Sequence, residues 1–234
     1  MNAGAYVGSE LTLFAEARHW KRYWYTHIER YIRGTVLEVG AGNGNNTFAL
    51  ENVNRTRWVC LEPDISLCRE LHARAGNNKT IDVVPGTLSA IAGMPAFDTI
   101  LYPDVLEHIQ MDSSELARCA GILRPGGHLI VLSPAYQWLY SPFDRAIGHF
   151  RRYNRSTLSA VGPRDLKLVV CRYLDCAGLG ASAANALFLK QSLPGRRQIL
   201  FWDRFLIPIS RCIDPLIRYS CGKSILGVWC NEHA

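Results

Sequence analysis

Residues 35–46 read Thr-Val-Leu-Glu-Val-Gly-Ala-Gly-Asn-Gly-Asn-Asn. Val36, Leu37 and Val39 form a short apolar run, Gly40, Gly42 and Gly44 follow, and Thr47-Phe48-Ala49-Leu50 opens a helical pattern. Strand, glycine turn and helix together bring backbone N–H groups up to a ligand. The spacing is not the G-x-G-x-x-G of a dinucleotide fingerprint, because the third glycine comes one residue early. A phosphate-binding P-loop is excluded by the missing Gly-Lys-Ser/Thr ending.

A second strand is expected at 57–61, ended by Glu62-Pro63-Asp64. A carboxylate there offers two acceptor oxygens to the vicinal hydroxyls of a ribose. Asp64 is read as the cap of a helix starting at Ile65. Further strands are expected at 81–84, 97–101, 128–133, 168–173 and 225–230, with Ser113 capping a helix that runs to Ile122. Residues 9–33 read as a helix with aromatics at helical spacing, either core or a lid over the ligand cleft. Helical stretches are expected at 179–191 and 198–219, the second bent or broken by Pro208 and Pro215. That second stretch mixes apolar and basic residues, suited to covering the sheet or to meeting a membrane interface.

The segment Glu38-Val39-Gly40-Ala41-Gly42-Asn43-Gly44 resembles motif I of class I S-adenosylmethionine-dependent methyltransferases. Asp104-Val105-Leu106-Glu107-His108-Ile109, followed by Leu123-Arg124-Pro125-Gly126-Gly127-His128-Leu129-Ile130-Val131, resembles their later segments. The resemblance covers about residues 34–134. It implies a Rossmann-like α/β three-layer sandwich whose seven-stranded sheet is mostly parallel, with an antiparallel last strand. It also implies S-adenosyl-L-methionine as cofactor, held by Glu38, Gly40, Ala41, Gly42, Asn46, Glu62, Pro63, Thr87, Leu88, Asp104 and Val105. The expected organisation is one domain over 1–234: a helical cover at 1–33, a cofactor-binding core at 34–133, an acceptor-side insert at 134–157, and a part at 158–234 completing the sheet.

The insert departs from the generic pattern. Its run Gly148-His149-Phe150-Arg151-Arg152-Tyr153 resembles that of a group of bacterial methyltransferases of undefined acceptor. His149 is the first candidate base and Tyr153 the second, since imidazole titrates near neutral pH. His108, Tyr140, Arg151 and Arg152 are candidate acceptor contacts, the arginines as clamps for a carboxylate or phosphate. No bound metal is expected. The alternative sets Asp104, Glu107 and His108 on one helix face, with His149 as a fourth ligand. Some ubiquinone-pathway and small-RNA terminal methyltransferases resemble this, with E-x-x-E-H in place of D-V-L-E-H.

Composition narrows the setting. The 234 residues carry a net charge of +6, split between −3 over residues 1–144 and +9 over residues 145–234. This points to an anionic acceptor or surface for the C-terminal third. Eight cysteines without a C-x-x-C pair, and a start without a basic and apolar leader, give a cytoplasmic expectation. The reading favours O-methylation of a small-molecule or lipid-like acceptor with peripheral membrane contact, and argues against nucleic acid because no RNA-binding module is visible. An RNA methyltransferase, and a binding protein on the same fold without turnover, stand as alternatives. The oligomeric state is open.

Overall fold

The computed structural model describes residues 14–50, 55–94, 96–184 and 195–232. Helix α1 (Arg18–Ile28) leads through a 3-10 turn into β1 (Gly34–Val39). Then come α2 (Asn45–Ala49), β2 (Arg55–Glu62), α3 (Ile65–Ala75), β3 (Ile81–Pro85), β4 (Phe97–Pro103), α4 (Asp112–Ala120) and β5 (Leu123–Pro134). The chain continues through α5 (Pro142–Ala146), α6 (Arg155–Val161), β6 (Lys167–Leu174) and α7 (Cys176–Ala184). It ends with α8 (Arg196–Phe201), α9 (Ile207–Leu216) and β7 (Ser224–Cys230).

The seven strands lie in the order β3-β2-β1-β4-β5-β7-β6. The first five are parallel, and β7 runs antiparallel to both β5 and β6. A parallel sheet needs cover on both faces, and the strand residues supply two apolar faces by strict alternation. Trp58, Cys60, Ile130 and Leu132 pack on one side with Trp20, Trp24 and Ile207. Val59, Leu61, Leu129 and Val131 pack on the other with Leu116, Leu158 and Trp229. The order reverses between β1 and β4, which opens a crevice at the C-terminal strand ends.

Several expectations shift. The N-terminal helix is shorter than 9–33, and the part of that range before residue 14 lies outside the described residues. Asp112, not Ser113, opens α4, which ends at Ala120. Helix α7 starts at Cys176, before the expected 179, and residues 185–191 of that expectation lie outside the described residues. Neither Pro208 nor Pro215 breaks the last helix. A π-helical turn, Trp202–Leu206, joins α8 to α9 without a break, and Pro208, which has no N–H to donate, follows directly after that turn. Pro215 sits in the last turn, which ends at Leu216.

Candidate active site

The crevice at the switch point is one cavity of about 1320 Å³, above the ~300–1,000 Å³ usual for a small-molecule pocket. The glycine turn forms one wall. Gly40 has φ +64°, and a Cβ there would lie 2.6 Å from Val105 Cγ2, so the β1 turn and the β4 loop meet only because Gly40 has no side chain. Glu62, at the end of β2, accepts from Gly42 N at 2.8 Å with Oε2 and from Asp64 N at 2.9 Å with Oε1. Burial raises its pKa, opposed by the amides of Asp64 and Gly42. Asp64 caps α3 through Ser66 N and Leu67 N.

Asn46, Pro63, Gly86, Thr87, Asp104 and Val105 line the same wall. Asp104 is a non-glycine residue at φ +56°, its N–H on Leu132 O at 2.8 Å, so the backbone is wound tightly where β4 meets the cavity. Burial raises the Asp104 carboxyl to about 6 against the pull of His149 and Lys223. From the opposite side Phe14, Trp20, Lys21 and Trp24 reach in, so the N-terminal segment is a cover that also lines the cleft. Burial lowers the Lys21 ammonium to about 8.

The insert is pinned at its neck, where Tyr136 N donates to Tyr153 O at 2.8 Å and Tyr153 N donates to Pro134 O at 3.0 Å. Between these points Ser141 and Asp144 form a capping box at the start of α5. The Asp144 carboxylate also accepts from His149 Nδ1 at 2.9 Å and from Arg152 Nε and Nη2, both at 2.8 Å. Burial pushes Asp144 up, but the hydrogen bonds from His149, Arg152 and Ser141 outweigh it and hold the carboxyl below its ordinary value. An ionised carboxylate only accepts, so Nδ1 carries the proton of this pair and Nε2 is the lone-pair nitrogen of the neutral ring. Nε2 lies 3.8 Å from Glu107 Oε1, a buried oxygen with no hydrogen-bond partner among the described residues. Glu107 Oε2 accepts from Ser133 Oγ at 2.9 Å, and burial with Asp104 nearby raises this carboxyl well above its usual range.

The rings of His108 and His149 meet edge to face at 4.5 Å, and burial lowers His108 to about 4. Glu107, His108 and His149 bring one ligand atom each within 4.8 Å of one another. This differs from the expected set, because residues 104–108 are not one helical face. Asp104 sits in a left-handed bend and only Leu106–His108 form a 3-10 turn.

Four predicted site residues lie outside the cavity lining. Glu38 is fully buried with Oε2 accepting from Thr47 Oγ1 at 2.6 Å and Trp58 Nε1 at 2.8 Å, tying β1 to β2 and α2. Leu88 is buried in the hydrophobic core on one face of the sheet. Tyr153 donates its hydroxyl to Asp112 Oδ2 at 2.8 Å, and burial with that bond raises its pKa far beyond the range of a base. Arg151 is bound to Asp112 at 2.7 Å and to Gln110 O at 2.8 Å. His108, Tyr140, His149 and Arg152 do line the cavity, although Arg152 is clasped on Asp144 and Tyr140 donates to His149 O at 2.6 Å. Residues the sequence reading missed are Asp144, Lys21 and Lys223. The Ser-x-x-Asp signature at 141–144 could have found the first. Lys223 immediately precedes β7, lies 4.5 Å from the Trp202 ring, and is held below its ordinary pKa by burial against the pull of Asp175. No local pattern marks it.

Residues 37–131 match the family model described as a methyltransferase domain. Among curated proteins, a tRNA U34 carboxymethyltransferase of Pseudoalteromonas translucida is 30% identical over 107 residues, 45% of this chain and 33% of that protein. One from Saccharophagus degradans is 27% identical over 109 residues, 45% and 34% of the two chains. The chain therefore spans about a third of the length of these relatives. Among solved structures, the complex of the Haloferax volcanii Trm112 methyltransferase activator with a putative methyltransferase aligns with a TM-score of 0.63 at 15% identity, covering 98% of this chain and 97% of that one. The N-methyltransferase NodS of Bradyrhizobium japonicum with S-adenosyl-L-homocysteine aligns at 0.60 and 15%, covering 99% and 94%. At such identities the structures establish the fold.

Proposed function

We propose, from the premise that this chain carries a class I S-adenosylmethionine-dependent methyltransferase domain, that it methylates an apolar, lipid-like acceptor at an ionisable hydroxyl. The cofactor is S-adenosylmethionine. The residues present fit it: each Glu62 oxygen already accepts one N–H and keeps a lone pair for a ribose hydroxyl. Gly40, Ala41 and Gly42 leave the turn without bulk on the side that lines the cavity. When bound, the cofactor supplies an activated methyl group on a sulfonium.

The chain's own part is orientation, water exclusion and proton removal. Trp20, Trp24, Leu139, Phe143, Ile199 and Trp202 wall an apolar chamber. His149 Nε2 takes the acceptor proton, Asp144 fixes the ring tautomer, and Arg152 keeps Asp144 ionised. The observation that carries this reading is the cavity itself, too large and too apolar to be explained by a cofactor alone.

The names of the curated relatives favour a second reading, a tRNA acceptor with one base turned out onto these aromatics. The expectation against nucleic acid gains no support from those relatives. Methyl-labelled cofactor, incubated with the protein and either a solvent-extracted lipid fraction or total RNA, separates the two. Label in the lipid fraction is expected. Label confined to RNA would replace this reading by the second.

A further inference from the structure

We propose that the exposed face of the 196–216 helical segment docks on an anionic lipid bilayer, placing the cavity mouth at the membrane surface. Phe201, Phe205, Ile209, Ile213 and Leu216 follow one another at intervals of four, four, four and three residues, the spacing of a single helix face. All five are exposed, Phe205 at 58% and Leu216 at 82%. Such residues are usually turned inward on an amphipathic helix. Here the inward face is already made by Ile199, Trp202, Ile207, Ser210 and Asp214, so the outer stripe is a second apolar face.

The charge around it is mostly positive, Glu16 being the acid that pairs with Arg196 and also acts on Arg204. Arg197, Arg204 and Arg211 recur every seven residues along the segment, Arg218 follows in the left-handed bend just past its end, and all four are exposed. None of the four is in an ion pair among the described residues. The only acids of the segment, Asp203 and Asp214, are buried. Asp203 accepts from the backbone of His19 and Trp20, and Asp214 from Tyr23 Oη and the backbone of Asp175 and Cys176. A surface helix with an apolar stripe and a line of exposed arginines outside any ion pair among the described residues has the chemistry of an interfacial helix on anionic lipid. No described helix is long and apolar enough to cross a membrane.

The stripe also meets the site. Arg197, Gln198 and Phe201 are exposed and line the cavity, so its mouth opens at the N-terminal end of the stripe. Trp138, exposed at 61%, lines the same cavity and adds an aromatic of the kind that settles at a membrane–water boundary. Delivery of a membrane-held acceptor rests on the proposed function. The docking does not.

The test is sedimentation with phosphatidylcholine vesicles and with vesicles of equal parts phosphatidylcholine and phosphatidylglycerol. The protein is expected to bind the anionic vesicles and to be released by salt. The pairs Arg204→Glu with Arg211→Glu, and Phe205→Ser with Ile209→Ser, should each weaken that binding roughly tenfold or more. Neither pair touches the cavity, so S-adenosylhomocysteine affinity and melting temperature should stay unchanged. Binding to neither vesicle overturns the proposal. So does a dimer by light scattering that Phe205→Ser with Ile209→Ser dissolves, or an oligoribonucleotide complex that alone depends on the arginines. Failure of the unsubstituted protein to bind S-adenosylhomocysteine, with vesicle binding intact, would instead sink the proposed function.

Discussion

Replacing Glu62 by Ala tests the cofactor site most directly. Both oxygens of Glu62 are already engaged, Oε2 with Gly42 N at 2.8 Å and Oε1 with Asp64 N at 2.9 Å, at a residue only 6% exposed. The substitution therefore removes the acceptor for the ribose and also frees the two amides that hold the glycine turn against the end of β2. Hydrogen bonds to a charged group contribute about 1.5–3 kcal/mol each. Loss of one ribose bond alone predicts at least a roughly tenfold weaker Kd, and loss of two or a loosened turn predicts about a hundredfold or more. Calorimetric titration with S-adenosylhomocysteine reads this directly, with melting temperature recorded beside it to show that the chain is folded. A folded Glu62→Ala protein that binds with unchanged affinity would refute the assignment of this carboxylate.

Two further outcomes are expected. Burial raises Glu38 to about 7 from an ordinary 4.5, so its folded pKa lies above its unfolded one. Its contribution to stability is present below pH 4.5 and is lost as pH rises through about 7, an effect of about 3 kcal/mol. Glu38→Gln should remove that decline, and denaturant curves near pH 5 and near pH 8 that shift equally in both proteins would contradict it. Asp144→Asn should lower turnover by about a hundredfold or more while leaving S-adenosylhomocysteine affinity intact, because it unsettles the His149 tautomer without touching the cofactor wall. Equal turnover in single-turnover assays would remove the Asp144 hold on His149 from the reaction.

What the sequence determined was carried by contiguous residues. The apolar run at 36–39, the glycines at 40, 42 and 44, and the acid ending the next strand specify a strand, a turn and an acceptor over short stretches of chain. Alternation such as Trp58-Val59-Cys60-Leu61 specifies a sheet covered on both faces. Those signals are local, since backbone sterics and side-chain period act over a few residues. Partner choice among charged groups is not local. Arg151 and Arg152 are neighbours, yet one turns to Asp112 and the other to Asp144. Tyr153 and His149 share one run, yet only His149 lines the cavity. Glu38 lies within the most telling motif and is consumed by Thr47 and Trp58. Lys223 reaches the cavity only because β7 inserts between β5 and β6. A buried charge must find whichever counter-group the packed chain brings within about 3 Å, and that is settled by long-range packing. The same holds for the 196–216 segment, whose inward face, Ser210 and Asp214 included, is chosen by packing against α1, α7 and β6.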